Sequence, residues 1–152
     1  MKDSFELLEK SQPEKLDERA GYYIKILRNA RTNKNSEKEF LALEGLGNTY
    51  NLLGKNDKAL SYYKKANEIT VNTKKISKSK VVLNLGIVYL NMRKYNDSLK
   101  HLEEALLIFR KQKDTANEEE CLISLSRVYS RMGNSRKLLE TGNQALNLSK
   151  KN

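Results

Sequence analysis

Cysteine, histidine and proline occur once each in this chain, and glycine only seven times in 152 residues. A single cysteine, Cys121, cannot close an internal disulfide, and with His101 as the sole histidine no soft-ligand cluster for zinc is available. One proline and seven glycines are too few for the turns of a β protein of this length. No run of 18 apolar residues exists, which excludes a transmembrane helix. The opening residues Met1 to Glu6 bring an acid early and lack an apolar core, so no secretory signal is expected and a cytoplasmic location is. What remains is a helical chain with 38% hydrophobic and 32% charged residues, hence a wet surface and a modest core.

Basic residues exceed acidic ones, giving a net charge of +10 that favours acidic peptides, nucleic acid or anionic lipid at long range. The two signs are nonetheless mixed along nearly every stretch. The densest basic run, from Lys74 to Lys80, is expected to be a solvated connection.

Repetition organises the sequence. Leu46-Gly47 is followed by Tyr50, Leu85-Gly86 by Tyr89, and Leu125-Ser126 by Tyr129, at spacings of 39 and 40. Ala66, Ala105 and Ala145 repeat at the same two intervals. A degenerate first copy carries Leu7 and Ala20, 39 residues before Leu46 and Ala59. The expected repeats span about 1–35, 36–74, 77–113 and 115–150, all in one domain. Each reads as two helices. Ser36-Glu37-Lys38-Glu39 and Thr115-Ala116-Asn117-Glu118 have the form of capping boxes, and Gly54 and Gly133 stand where a left-handed helix end is expected. Pro13 suits a helix start, where its missing N–H costs nothing. Small residues at 47, 86 and 126 let the paired helices approach, so a leucine at Gly86 is expected to force them apart.

The Leu-Gly-x-x-Tyr, Ala-x-x-x-Tyr and Ala pattern of residues 46–66 resembles a tetratricopeptide repeat. The resemblance is closest in repeat two. Ser98 and Leu102 depart from it in repeat three, and Ser126, Leu138 and Gly142 in repeat four. It implies an all-α solenoid, a right-handed superhelix of about four repeats and about eight antiparallel helices. The common period in that family is 34, so each unit here is longer by about 8–9 Å if the extra residues are helical.

No catalytic constellation is evident. His101 sits among Lys100, Glu103 and Glu104 on an expected surface, and nothing places it beside Cys121. Gly45-Leu46-Gly47 lies inside a helix and lacks the strand and third glycine of a phosphate loop. No metal site and no cofactor are expected. The informative residues share the other face of each first helix: Glu44, Asn48 and Asn51, then Asn84, Ile87 and Asn91, then Ser124, Arg127 and Arg131. The family resemblance implies that such faces line a groove for a partner segment, and asparagine amides can both donate to and accept from a peptide backbone. Alanine at Asn48 or Asn84 is expected to weaken binding and spare the fold. A clamp for a C-terminal carboxylate, used by some family members, is not expected, because Glu44 and Glu120 stand where lysines belong.

In the last helix Leu139, Leu146 and Leu148 are expected to form an exposed apolar edge that pairs weakly with a second copy or with a further segment. The function expected is that of a non-enzymatic scaffold binding a protein or peptide. The alternatives are a sensory or regulatory region of a larger bacterial signalling protein and, less favoured, a basic nucleic-acid-binding repeat.

Overall fold

The computed structural model describes residues 13–69 and 78–150. The expected first helix, with Leu7, lies outside them, as do residues 74–77 of the basic run. Seven helices and no strand occur among the described residues: α1 (Pro13–Thr32), α2 (Ser36–Leu52), α3 (Asn56–Glu68), α4 (Ser79–Asn91), α5 (Tyr95–Gln112), α6 (Thr115–Arg131) and α7 (Ser135–Ser149). They form helix hairpins of the α-solenoid class. No described helix is long and apolar enough to cross a membrane. The chain divides into two compact bodies, Met1–Ile76 and Ser77–Asn152.

One turn design serves the whole chain. Lys34, Gly54, Arg93, Lys113 and Gly133 all take positive φ, between 51° and 71°. After each, a backbone N–H reaches back to close a Schellman-type helix end, as in Lys55 N–H to the Tyr50 carbonyl and Lys94 N–H to the Tyr89 carbonyl, both at 2.9 Å. Successive turns within a body fall 20 residues apart, so the repeat period is two equal helix-and-turn modules. The helices reach 17 to 20 residues in α1, α2, α5 and α6.

The helix starts differ by one residue from the sequence expectation. The caps are Asn35 and Asp114, whose side chains accept from Lys38 N–H at 2.9 Å and Asn117 N–H at 3.1 Å. Ser36 and Thr115 are already helical. Asn134 caps α7 in the same way, accepting from Lys137 N–H. The reason is the turn: its left-handed residue leaves only one residue before the helix, and that residue must be the cap.

In the first body α2 packs on α1 on one side and α3 on the other. Its two glycines divide the task. A Cβ at Gly45 would run into the Tyr23 ring of α1, and one at Gly47 would lie 2.5 Å from the Tyr63 ring of α3. Large aromatic rings therefore seat directly on the α2 backbone. Thr49 ties α2 to α1, accepting from Arg19 Nε at 3.0 Å while donating to the Gly45 carbonyl of its own helix at 2.7 Å. Tyr50 stacks on Tyr62 of its own hairpin, with ring centroids 5.4 Å apart. This tyrosine thus packs within its own repeat.

In the second body α4 packs on α5, α5 on α6 and α6 on α7, while α4 also touches α6. Val82, Leu102, Phe109, Cys121, Leu125 and Val128 carry its core. Ser98 donates to the Gly86 carbonyl at 2.7 Å, and a Cβ at Gly86 would lie 2.6 Å from Leu102 Cγ. Leucine at Gly86 has no room. Arg31 to Glu39 and Arg110 to Glu118 are repeat-equivalent surface ion pairs, both 2.8 Å. Exposed pairs of this kind are worth only about 0–1 kcal/mol.

Candidate functional site

The expected groove residues fall in both bodies. In the first body, Glu44 and Asn48 of α2 line an open pocket of about 790 Å³ with Tyr22, Ile26 and Lys25 of α1. Tyr22 is 62% exposed there and Leu41 48%, an apolar surface that the sequence reading missed. The signal was present, since Tyr22-Tyr23 is an aromatic pair and only one of two adjacent helical residues can face inward. Asn51 is half-buried and lies on α2 one turn beyond Asn48.

Asn48 also has a structural task. The hydroxyl of the fully buried Tyr63 donates to Asn48 Oδ1 at 2.6 Å. Burial, and then the negative charge of Glu44, push the Tyr63 hydroxyl well above the ordinary tyrosine range, partly offset by Arg19. Asn48→Ala would strip this hydroxyl of its acceptor, which typically costs about 1–3 kcal/mol. The expectation that Asn48 is dispensable for the fold is revised accordingly.

In the second body, Asn91, Arg127 and Arg131 come together in an open cavity of about 1080 Å³. Leu138, Gly142 and Ala145 of α7 close its other side. Arg127 and Arg131 are one turn apart on α6, both exposed, and neither has an ion-pair partner among the described residues. The lining contains no Asp or Glu. Asn84 and Ile87 are not brought into this cavity. Both are half-buried, and Ile87 packs against the core. Ser124 is buried, at 3% exposure. Asn84 and Ser124 are the counterparts of Gly45, not of Glu44, and Gly45 faces the preceding helix hairpin.

Leu139 and Leu146 are exposed, at 66% and 53%. Leu148 does not join them. It is half-buried and lines a small pocket with Leu122 and Arg110. Nine residues separate it from Leu139, about 180° around a helix at 100° per residue.

Neither reactive side chain is arranged for catalysis. Cys121 is fully buried in the core, and burial followed by the charge of Glu120 pushes its thiol up to about 12. A thiol held protonated in this way is a poor nucleophile. His101 Nδ1 lies 2.8 Å from the Asp97 carbonyl, and its ring sits 5.2 Å from that of Tyr89. Among the described residues no group of three or more His, Cys, Asp or Glu side chains could hold a metal ion.

Residues 79–151 match a family described as tetratricopeptide repeat, and residues 42–70 match a second family of the same description. Together they cover about two thirds of the chain. The chain belongs to the tetratricopeptide repeats. The crystal structure of BtubC (BKLC) from P. vanneervenii superposes with a TM-score of 0.78 at 22% identity, over 89% of this chain and 57% of that one. At that identity the likeness is one of fold. The chain spans little more than half the length of that structural relative. No curated protein matches the sequence. Proteins built from this repeat generally bind other proteins and are generally not catalytic.

Proposed function

We propose that the chain is a non-enzymatic interaction module that receives a peptide segment in the open groove of its second body. The supporting observation is the convergence of Asn91, Arg127 and Arg131 on one cavity between repeat helices, with both guanidinium groups exposed and lacking ion-pair partners among the described residues. Such groups can bind carboxylates or backbone carbonyls of an extended segment with little rearrangement. The same arginines could neutralise phosphates, so nucleic acid is the competing occupant. The deciding experiment selects peptides from an unbiased displayed library on the purified protein. Selected peptides are then measured against the natural chain and against Arg127→Glu with Arg131→Glu. Binding should fall at least about tenfold in the variant, equivalent to about 1.4 kcal/mol, with an unchanged helical circular dichroism spectrum. Selected peptides that bind both proteins equally would move the site elsewhere. Tight binding of a mixed-sequence oligonucleotide at physiological salt, with no peptide selected, would replace the reading.

A further inference from the structure

Within this reading of the groove, we infer that the space beside Gly142 receives one bulky apolar side chain from an acidic peptide segment. The repeats themselves show what is missing. Position 63 on α3 holds Tyr63, whose ring covers Gly47, and its counterpart on α5 is Leu102, which covers Gly86. A Cβ at either glycine would lie 2.5–2.6 Å from the covering side chain. The third counterpart is Gly142, opposite Ser126. A Cβ added at Gly142 would meet nothing nearer than Ser126 Oγ at 4.0 Å.

The leucine of this hairpin stands one turn earlier, at Leu138, where the other repeats have Ala59 and Ser98. That displacement is about 6 Å along the helix at 1.5 Å per residue. Leu138 therefore forms a wall of the opening rather than its filling, with Ala145 a further wall and Ser126 the floor. In its place the two helices are tied by a polar contact, Ser126 Oγ to Thr141 Oγ1 at 2.8 Å. The opening is continuous with the arginine groove, since one cavity of about 1080 Å³ contains both.

The size of the occupant follows from the repeat. Leucine or tyrosine fills the equivalent space in the other two hairpins, so a side chain of that class, supplied from outside, fits here. The chemistry around it follows from charge. Arg127 and Arg131 stand on the same cavity with no carboxylate in its lining, on a chain of net charge +10. Residues flanking the anchor are therefore best matched as Asp or Glu. A nucleic acid would satisfy the arginines, but the one aromatic residue of the lining, Tyr95, is half-buried against the core and leaves little ring face for a base to stack on.

The chain contains no tryptophan, so a tryptophan in the ligand reports on its own burial without background. The probes are two fluorescein-labelled pools of short peptides, with Asp, Glu, Ser or Gly at all positions but the centre, which is tryptophan in one and alanine in the other. A third pool is random, and a mixed-sequence single-stranded DNA serves as the nucleic-acid probe. The tryptophan pool should bind with a dissociation constant on the order of 10 µM, with a blue shift in emission. Binding should weaken roughly 10–100-fold for the alanine pool, and equally for the tryptophan pool against Gly142→Leu, because each removes one buried apolar side chain from the complex. Ser126→Leu, which fills the opening from its floor, should act in the same direction and serves if Gly142→Leu does not fold. Equal binding of both acidic pools, or undiminished binding to a folded filled variant, overturns the anchor while leaving the groove reading intact. Binding of only the random pool, still sensitive to Arg127 and Arg131, overturns the acidic anchored ligand and keeps the groove. Binding of DNA but of no peptide pool overturns both.

Discussion

The hairpins α4–α5 and α6–α7 descend from one pattern and pack it in opposite ways. In the first, Leu102 covers Gly86, Ser98 bonds the Gly86 carbonyl, and Ala105 and Phe109 complete a buried stripe. In the second, Gly142 takes the place of Leu102, and α7 buries only Thr141 and Ala145. The α5 helix buries four residues and its counterpart α7 only two, and the outer face of α7 leaves Leu139 and Leu146 exposed. Moving the large side chain by one turn thus converts an interior contact into an opening. The lesson is that a repeat gains an opening by deleting a core side chain, without any new chemistry.

Breaking the closed hairpin should have the largest effect. Leu102→Ala removes a fully buried side chain that seats directly on a backbone glycine. Loss of transfer energy plus a residual cavity predicts destabilisation of about 2–5 kcal/mol. Denaturant unfolding followed by circular dichroism measures it. A loss under about 1 kcal/mol would mean that Leu102 does not close the hairpin, and the contrast with Gly142 would vanish.

The reverse substitution sharpens the comparison from the other side. Gly142→Leu replaces a helix-interior glycine with a strong helix former, worth about 0.8–1 kcal/mol by propensity alone. The added side chain enters space where its Cβ meets nothing nearer than Ser126 Oγ at 4.0 Å, so overpacking should not offset the gain. The variant should be more stable by about 1 kcal/mol or somewhat more. A destabilised protein would show that the opening in solution is already occupied by the chain's own side chains.

Much of this contrast was written in the sequence, and some was not. The spacings of Leu46, Leu85 and Leu125 place the repeats because each large apolar residue must meet its counterpart in a neighbouring helix. Gly54 and Gly133 were legible as turns because glycine alone takes positive φ without steric cost. Lys34, Arg93 and Lys113 adopt the same conformation but carry a Cβ, so composition gives no hint of them. The groove was harder. Asn84 was grouped with Glu44, although a 39-residue step from Glu44 reaches Leu83, which is buried. A shift of one residue turns a helix by about 100°, enough to move a side chain from groove to interior. Gly142 was visible as a departure from the repeat. Its consequence was not, because an opening depends on what Ser126 and Leu138 leave unfilled, and that is a three-dimensional quantity.

The smallest expected effect lies in the turns of the same two hairpins, where the contrast is reversed. The well-packed hairpin turns through Arg93 at φ 59°, and the open one turns through Gly133 at φ 71°. Both turns close with the same backbone bond at 2.9 Å, from Lys94 to Tyr89 and from Asn134 to Tyr129, so the backbone geometry is shared and only the side chain differs. A left-handed conformation costs a residue with a Cβ about 1–2 kcal/mol, while glycine loses about 0.4–1 kcal/mol through the greater freedom of the unfolded chain. The balance favours glycine by about 0.5–1 kcal/mol. Arg93→Gly should therefore stabilise the protein by that amount, and Gly133→Arg should destabilise it similarly. Denaturant midpoints measured at constant slope report both changes. If Arg93→Gly is instead destabilising while Gly133→Arg behaves as stated, the Arg93 side chain contributes a contact that outweighs its strain, and the two turns are not equivalent after all.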